Sequence, residues 1–165
     1  MTLNIVILAL VTIQRLGELI VSRRNTKRLL EQGAREFAPA HYPLIVALHT
    51  AWLASLWWLG VSRPIDPFWL AAFILIEIGR IWVFASLGER WTTRIIVVAG
   101  ETLVRRGPYR FLNHPNYAVV VAEIAVLPLV FGLWRVALIF SVLNAAVLAV
   151  RIREEDRALS ACQPR

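Results

Sequence analysis

The chain has 165 residues, 58% of them hydrophobic and 7 of them tryptophan, with a mean hydropathy of +0.62; that composition excludes an ordinary water-soluble domain and marks an integral membrane protein. The net charge of +7 and pI of about 11.0 do not make it a nucleic-acid binder, because the basic residues flank apolar segments, where they set topology and meet anionic headgroups of membrane lipids. A single cysteine, Cys162, excludes an intramolecular disulfide and a cysteine-rich metal site.

A bilayer core about 30 Å thick is crossed by about 20 mainly apolar residues in a helix. The first such segment runs from Leu3 to Val21, with no basic residue before it and a basic cluster after it. That is the pattern of a retained anchor with its N-terminus outside, not of a cleaved signal peptide. The second runs from Leu44 to Val61 behind Pro43, and the third from Phe68 to Leu87 behind Asp66 and Pro67, an N-cap residue followed by proline at the first helical position. The last apolar block, Tyr117 to Val150, is interrupted by Pro128, Gly132 and Arg135. One helix of that length would measure about 50 Å, so two short helices with their turn near Gly132 are expected.

The expected fold is therefore an all-α integral membrane protein of five transmembrane helices, the last two a short hairpin, read as one domain over 1–165. Of the 18 lysines and arginines, all but Arg15, Arg63, Arg80 and Arg135 fall within Arg23 to Arg35, Arg90 to Arg110, or the tail from Arg151. Five spans place these three stretches on one side, which the positive-inside rule makes cytoplasmic. The expected location is the cell (inner) membrane, N-terminus outside and C-terminus cytoplasmic.

Polar residues inside the spans are costly in hydrocarbon and face a bundle interior or a cavity. They are Gln14, Arg15, Glu18, His49, Glu77, Arg80, Glu123 and Asn144. Gln14 and Glu18 share a helix face, and Glu77 and Arg80 are spaced to pair within their own helix. Arg15 is placed to snorkel to the surface. Glu18, His49, Arg80 and Glu123 are the residues available to a substrate. His41, His49 and His114 have no metal-site spacing, so no metal is expected.

The stretch "RRGPYRFLNHPNY" from Arg105 carries two prolines, each of which turns the preceding residue away from helix. Gly107 to His114 should form an ordered non-helical link, with Asn113 or His114 as N-cap and Pro115 at the first position of the fourth span. Unpaired N–H groups and the positive end of that helix then suit a carboxylate or other anion. Downstream, "RIREEDRAL" extends the fifth helix beyond the membrane, with Arg151, Glu155 and Leu159 on neighbouring turns.

"GPYRFLNHPNY", followed after two helices by "RIREEDRAL", resembles the isoprenylcysteine carboxyl methyltransferase family. "RRN" at Arg23, "GAREF" at Gly33 and "HYPLIVALH" at His41 are similar to a bacterial branch that O-methylates long-chain alkylresorcinols or alkylpyrones. The resemblance implies an S-adenosylmethionine-dependent methyltransferase, with the cofactor on the cytoplasmic side and a lipid-like acceptor arriving from the bilayer. It implies that Leu103, Val104, Gly107, Pro108 and Tyr109 line the adenosine, that His114, Pro115, Tyr117 and Glu155 hold the cofactor, and that Arg151 lies near the reacting groups. Asn113 stands where the family usually has arginine, Asp156 replaces a second glutamate, and the tail stops at Arg165 without an aromatic-rich extension, which argues for an acceptor other than prenylcysteine.

Methyl transfer needs oxygen, methyl and sulfonium nearly in line with water excluded. A carboxylate acceptor needs only orientation, for which Arg151 is suited, whereas a phenol with a pKa near 10 gains from a base. Glu155, His114 and His49 are the groups able to serve, in that order, so the expected catalytic set is Glu155, Arg151 and His114. Carboxyl methylation, a small transporter using Glu18 and a nicotinamide-dependent reductase are the alternatives. The spacing names neither the acceptor nor an oligomeric state.

Overall fold

The computed structural model describes residues 1–98 and 104–162; Leu103 lies outside the described residues. Five α-helices follow in order: α1 Thr2–Glu31, α2 Tyr42–Gly60, α3 Pro67–Leu87, α4 Pro115–Val130 and α5 Trp134–Cys162. Two short strands, β1 Arg35–Phe37 and β2 Ile95–Val97, complete the described elements together with three 3-10 turns. The protein is an all-α integral membrane protein. Along α1 and α3 the outward positions are Leu10, Ile13, Leu16, Ile20, Ile74, Leu75, Ile78 and Ile81, all exposed, as surfaces solvated by lipid chains must be.

Local chemistry sets the helix ends. At α3, the Asp66 carboxylate accepts from the backbone N–H groups of Phe68 at 2.9 Å and Trp69 at 3.3 Å, with Pro67 opening the helix. Both features were legible in the sequence. Asp66 also donates its own N–H to the Val130 carbonyl at 2.9 Å, tying the start of α3 to the end of α4. The Asn4 amide of α1 donates to the carbonyls of Gly60 and Arg63 at 2.8 and 2.7 Å, satisfying groups that the end of α2 leaves open.

The turn between α4 and α5 falls at Gly132, whose φ of +65° is a left-handed conformation that glycine adopts without penalty. α4 has 16 residues and is the short member of the pair. α5 has 29, because the arginine-rich tail continues the same helix out of the apolar region. α1 likewise runs ten residues past Val21, to Glu31, since Arg23 to Glu31 are mostly good helix formers.

The larger core lies toward the Gly132 end, where Leu8, Trp52, Leu56, Ile124, Leu127 and Phe131 interlock. A smaller one forms at the arginine-rich end. There β1 and β2 pair antiparallel, Arg35 opposite Val97 and Phe37 opposite Ile95, and Ile95 and Val97 pack on Ala158 and Leu159 of α5. This ribbon is an addition to the all-helical expectation; three-residue strands are too short to show an alternating pattern.

Candidate functional site

The link before α4 is held by a close approach. Gly107 has a φ of +57°, and a Cβ placed on it would stand 2.0 Å from Ser86 Oγ of α3. Arg106 Nε donates to the Ser86 carbonyl at 2.9 Å. The link contains a 3-10 turn, Gly107–Arg110, where a wholly non-helical path was expected; Pro108 starts such a turn as readily as it breaks an α-helix. His114 is the N-cap of α4 and Pro115 its first residue.

Behind this cap, Tyr117 meets α5. The Tyr117 hydroxyl donates to the Glu155 carboxylate, and Arg151 Nε donates to the Tyr117 hydroxyl at 2.8 Å. Arg151 Nη2 donates to the Thr93 carbonyl at 2.8 Å. Thr93 Oγ1 lies 2.8 Å from Ser22 Oγ and 3.0 Å from the Tyr42 hydroxyl, so α1, α2 and the approach to β2 all brace the arginine. His114 stacks on Tyr117 with ring centroids 5.4 Å apart, and its Nε2 lies 3.1 Å from Asp156 Oδ1.

Two cavities meet here. The first, about 970 Å³, opens at the arginine-rich end; its wall includes Val104, Tyr109, His114, Tyr117, Arg151 and Glu155. Six of the expected residues thus come together. Gly107, Pro108 and Pro115 are not on the described wall and act by shaping its backbone. Burial, and then the Glu155 charge, hold the Tyr109 hydroxyl above its ordinary range, so it stays a neutral donor.

The second cavity, about 410 Å³, lies among the membrane helices, lined mostly by apolar side chains such as Leu53, Trp57, Val120 and Val147. Glu18, His49 and Arg80 are on its wall, as is Asn144. The His49 Nδ1–H donates to the Ile45 carbonyl at 2.9 Å, which leaves the other ring nitrogen of the neutral imidazole as an acceptor. Asn116, Tyr117 and Arg151 belong to both cavities.

Next to the second cavity is a buried ionic cluster. Arg80 binds Glu123 through Nε and Nη2 and reaches Glu18 at 3.0 Å; Arg15 binds Glu18 at 2.9 Å and also Glu123. Two expectations are corrected. Arg80 does not bridge to Glu77 but crosses to α4, and Glu77 instead accepts from Gln14 at 2.7 Å. Arg15 turns inward instead of snorkelling, because two carboxylates there offer more than the interface does. Glu123 is fully buried and on neither described wall, so it supports the second cavity through Arg15 and Arg80 without lining it.

The first cavity fits S-adenosylmethionine on its own chemistry. Among the described residues the Asn116 Oδ1 atom is buried without a hydrogen-bond partner on the shared wall, a state that normally has a ligand or water to satisfy it. Glu155 supplies a carboxylate for a cationic centre. Arg110 and the start of α4 supply positive charge for an anionic end, while Arg94 on the same wall is paired with Glu36. Thr93, Asn116 and Tyr42 escaped sequence reasoning: Asn116 and Tyr42 stand inside the quoted stretches without a role of their own, Thr93 stands in none, and the fold brings Thr93 to Arg151 and Tyr42 to Thr93.

Comparison with known proteins places this arrangement. Residues 69–161 match the description of the isoprenylcysteine carboxyl methyltransferase family. The protein YpbQ of Bacillus subtilis (strain 168) is 39% identical over 93% of this chain and 94% of its own length. An uncharacterized protein of Haemophilus influenzae is 25% identical over 92% of this chain and 91% of its own. No solved structure matches. The matched residues cover more than half of the chain and run from α3 to α5, which carry the shared wall of the two cavities. The chain therefore belongs to the isoprenylcysteine carboxyl methyltransferase family, a family of S-adenosylmethionine-using enzymes, and is a membrane methyltransferase.

Proposed function

We propose that this protein is an O-methyltransferase whose acceptor is dissolved in the membrane, the hydroxyl of a long-chain alkylresorcinol or alkylpyrone. The observation that carries the reading is the shared wall: a polar cavity and an apolar cavity touch at Asn116, Tyr117 and Arg151. A water-soluble methyl donor and a lipid acceptor thereby reach the same few atoms from opposite sides. The arginine-rich end with the first cavity faces the cytoplasm in this reading, in keeping with the positive-inside rule.

S-adenosylmethionine, when bound, supplies an activated methyl group on a positively charged sulfur. Val104, Tyr109 and His114 shape its seat, and Glu155 holds the cationic part. Arg151 fixes the Tyr117 hydroxyl and with it the height at which an acceptor oxygen can rest. The apolar second cavity takes the acceptor's hydrocarbon and excludes water, which keeps competing hydrolysis and solvent reorganisation out of the reaction. His49 and Asn144 provide polar contacts for the acceptor ring.

Arg151 also bears on the choice of acceptor. Its Nε and one terminal nitrogen are engaged by Tyr117 and Thr93, which takes up the side-on pair of the fork and leaves fewer donors for a carboxylate. That supports a hydroxyl over the carboxyl methylation of prenylcysteine. Glu18 has both oxygens on arginines, an arrangement that does not favour a proton-carrying transporter.

The test is transfer of labelled methyl from S-adenosylmethionine by the purified protein in lipid nanodiscs. An alkylresorcinol, an alkylpyrone and a prenylcysteine are supplied in parallel. Transfer to the hydroxyl lipids is expected; transfer to prenylcysteine alone replaces the reading with carboxyl methylation, and absence of both transfer and donor binding removes it.

A further inference from the structure

Glu155 is on the wall of the first cavity and not of the second. A base in that position does not meet an acceptor arriving from the membrane. Tyr117 does, since it lines both, and its hydroxyl is already connected to the carboxylate.

A tyrosine hydroxyl has one proton and two lone pairs. In Tyr117 the proton goes to Glu155 and one lone pair accepts from Arg151 Nε at 2.8 Å. The second lone pair has no hydrogen-bond partner among the described residues. It is the acceptor position left for a ligand hydroxyl at the boundary between the cavities.

We infer that Tyr117 is a catalytic residue, a relay that takes the proton of the acceptor hydroxyl through its free lone pair while passing its own proton to Glu155. The inference rests on the O-methyltransferase reading. In the step the acceptor O–H bond breaks and its proton moves to the Tyr117 oxygen. The proton of Tyr117 moves to Glu155, which becomes a neutral acid. The electron pair freed on the acceptor oxygen forms the new bond to the methyl carbon, and the pair of the sulfur–carbon bond stays on sulfur, which becomes a neutral thioether. Tyr117 ends as it began.

Charge makes this route fit its surroundings. Before transfer the site holds one negative carboxylate and one positive sulfonium; afterwards it holds neither, and removing an ion pair from a place with little water avoids a separated charge at the end. Arg151 donates to the Tyr117 oxygen through which both protons pass. The other ionisable groups near Tyr117 do not compete: the Nε2 of His114 faces Asp156, Tyr109 remains protonated, and Tyr42 is bonded to Thr93.

The relay also defines the acceptor class. It serves a group that arrives with an acidic proton, such as a phenol or an enolic pyrone. A carboxylate arrives without one and gains nothing from it.

The experiment uses the full protein in nanodiscs with a long-chain nitrophenol, whose ionised form absorbs visible light. Without methyl donor, the pH at which the bound nitrophenol ionises is read in wild type, Tyr117→Phe and Glu155→Gln. Tyr117→Phe is expected to raise that midpoint by about one pH unit or more, a tenfold loss of the ionised form, whereas Glu155→Gln, which removes a negative charge beside the bound phenol, is expected to lower it. With donor present, Tyr117→Phe is expected to slow transfer to the alkylresorcinol by about a hundredfold or more and transfer to the nitrophenol by less than about tenfold, because the latter needs little help to ionise.

An unchanged midpoint in Tyr117→Phe, or equal slowing of both acceptors, overturns the relay while leaving the O-methyltransferase reading in place. A wild-type protein that methylates carboxylates but no hydroxyl acceptor overturns that reading and the relay with it. If Tyr117→Phe does not fold, Tyr117→Leu, which also lacks the hydroxyl, gives the same two readouts.

Discussion

Arg151 joins Tyr117 to Thr93, donating to the hydroxyl of one and the carbonyl of the other at 2.8 Å each. The guanidinium is buried, and its planar fork lets a single side chain serve two acceptors in different directions. An Arg151→Lys variant keeps the charge and loses the fork. Loss of one charge-assisted hydrogen bond, about 1.5 to 3 kcal/mol, corresponds to a fall of about ten- to a hundredfold in kcat/KM. Methyl-transfer kinetics beside thermal unfolding in detergent check it; a variant with wild-type kinetics shows that Arg151 only supports the fold.

Gly107→Ala is expected to weaken the donor site without touching its wall. The new Cβ stands on Ser86 Oγ, and a left-handed residue other than glycine costs about 1 to 2 kcal/mol. Adding Ser86→Gly removes the collision but not the backbone cost. The double variant should therefore recover part, not all, of the affinity for S-adenosylmethionine measured by calorimetry.

The ionic cluster holds two arginines and two glutamates in balance across α1, α3 and α4. Glu123→Gln leaves Arg15 and Arg80 to share Glu18, and an uncompensated buried charge costs about 3 to 5 kcal/mol. Replacing Arg80 and Glu123 together by methionine leaves the balanced pair Arg15 and Glu18. The double variant is expected to be more stable than Glu123→Gln, and a double-mutant cycle on thermal stability measures the difference.

Membrane orientation is testable with single cysteines in a chain whose Cys162 is replaced by serine. Lys27 at the arginine-rich end and Ser62 beyond α2 are both exposed. Lys27→Cys should react with an impermeant thiol reagent only in inverted vesicles, and Ser62→Cys only in intact cells. The opposite pattern reverses the proposed topology.

The helical spans, the Asp66–Pro67 start, the Gly132 turn and the His114–Pro115 start were legible because each depends on neighbouring residues alone. The partners of Arg80 were not. Glu77 is three residues away and suggests a local bridge, whereas Glu123 is 43 residues away and wins through the packing of α3 on α4. Thr93 and Asn116 were missed for the same reason. A threonine outside any motif, and an asparagine inside "GPYRFLNHPNY" that the resemblance gives no role, become part of the site only when the folded chain brings the one beside Arg151 and the other between the two cavities. The family motifs, by contrast, pointed to six residues that share the wall of the first cavity, because the segments that carry them form much of that wall.

α5 continues without a break from the apolar cavity among the membrane helices to the cavity at the arginine-rich end, carrying Asn144, Arg151 and Glu155 on one helix. Helical rise separates Asn144 from Arg151 by about 10 Å and Arg151 from Glu155 by about 6 Å. The helix is thus a ruler, and also a dial. One alanine inserted between Arg151 and Glu155 would turn everything beyond it by about 100°, leaving every side chain chemically intact while the water-soluble and lipid-soluble halves of the reaction fall out of phase.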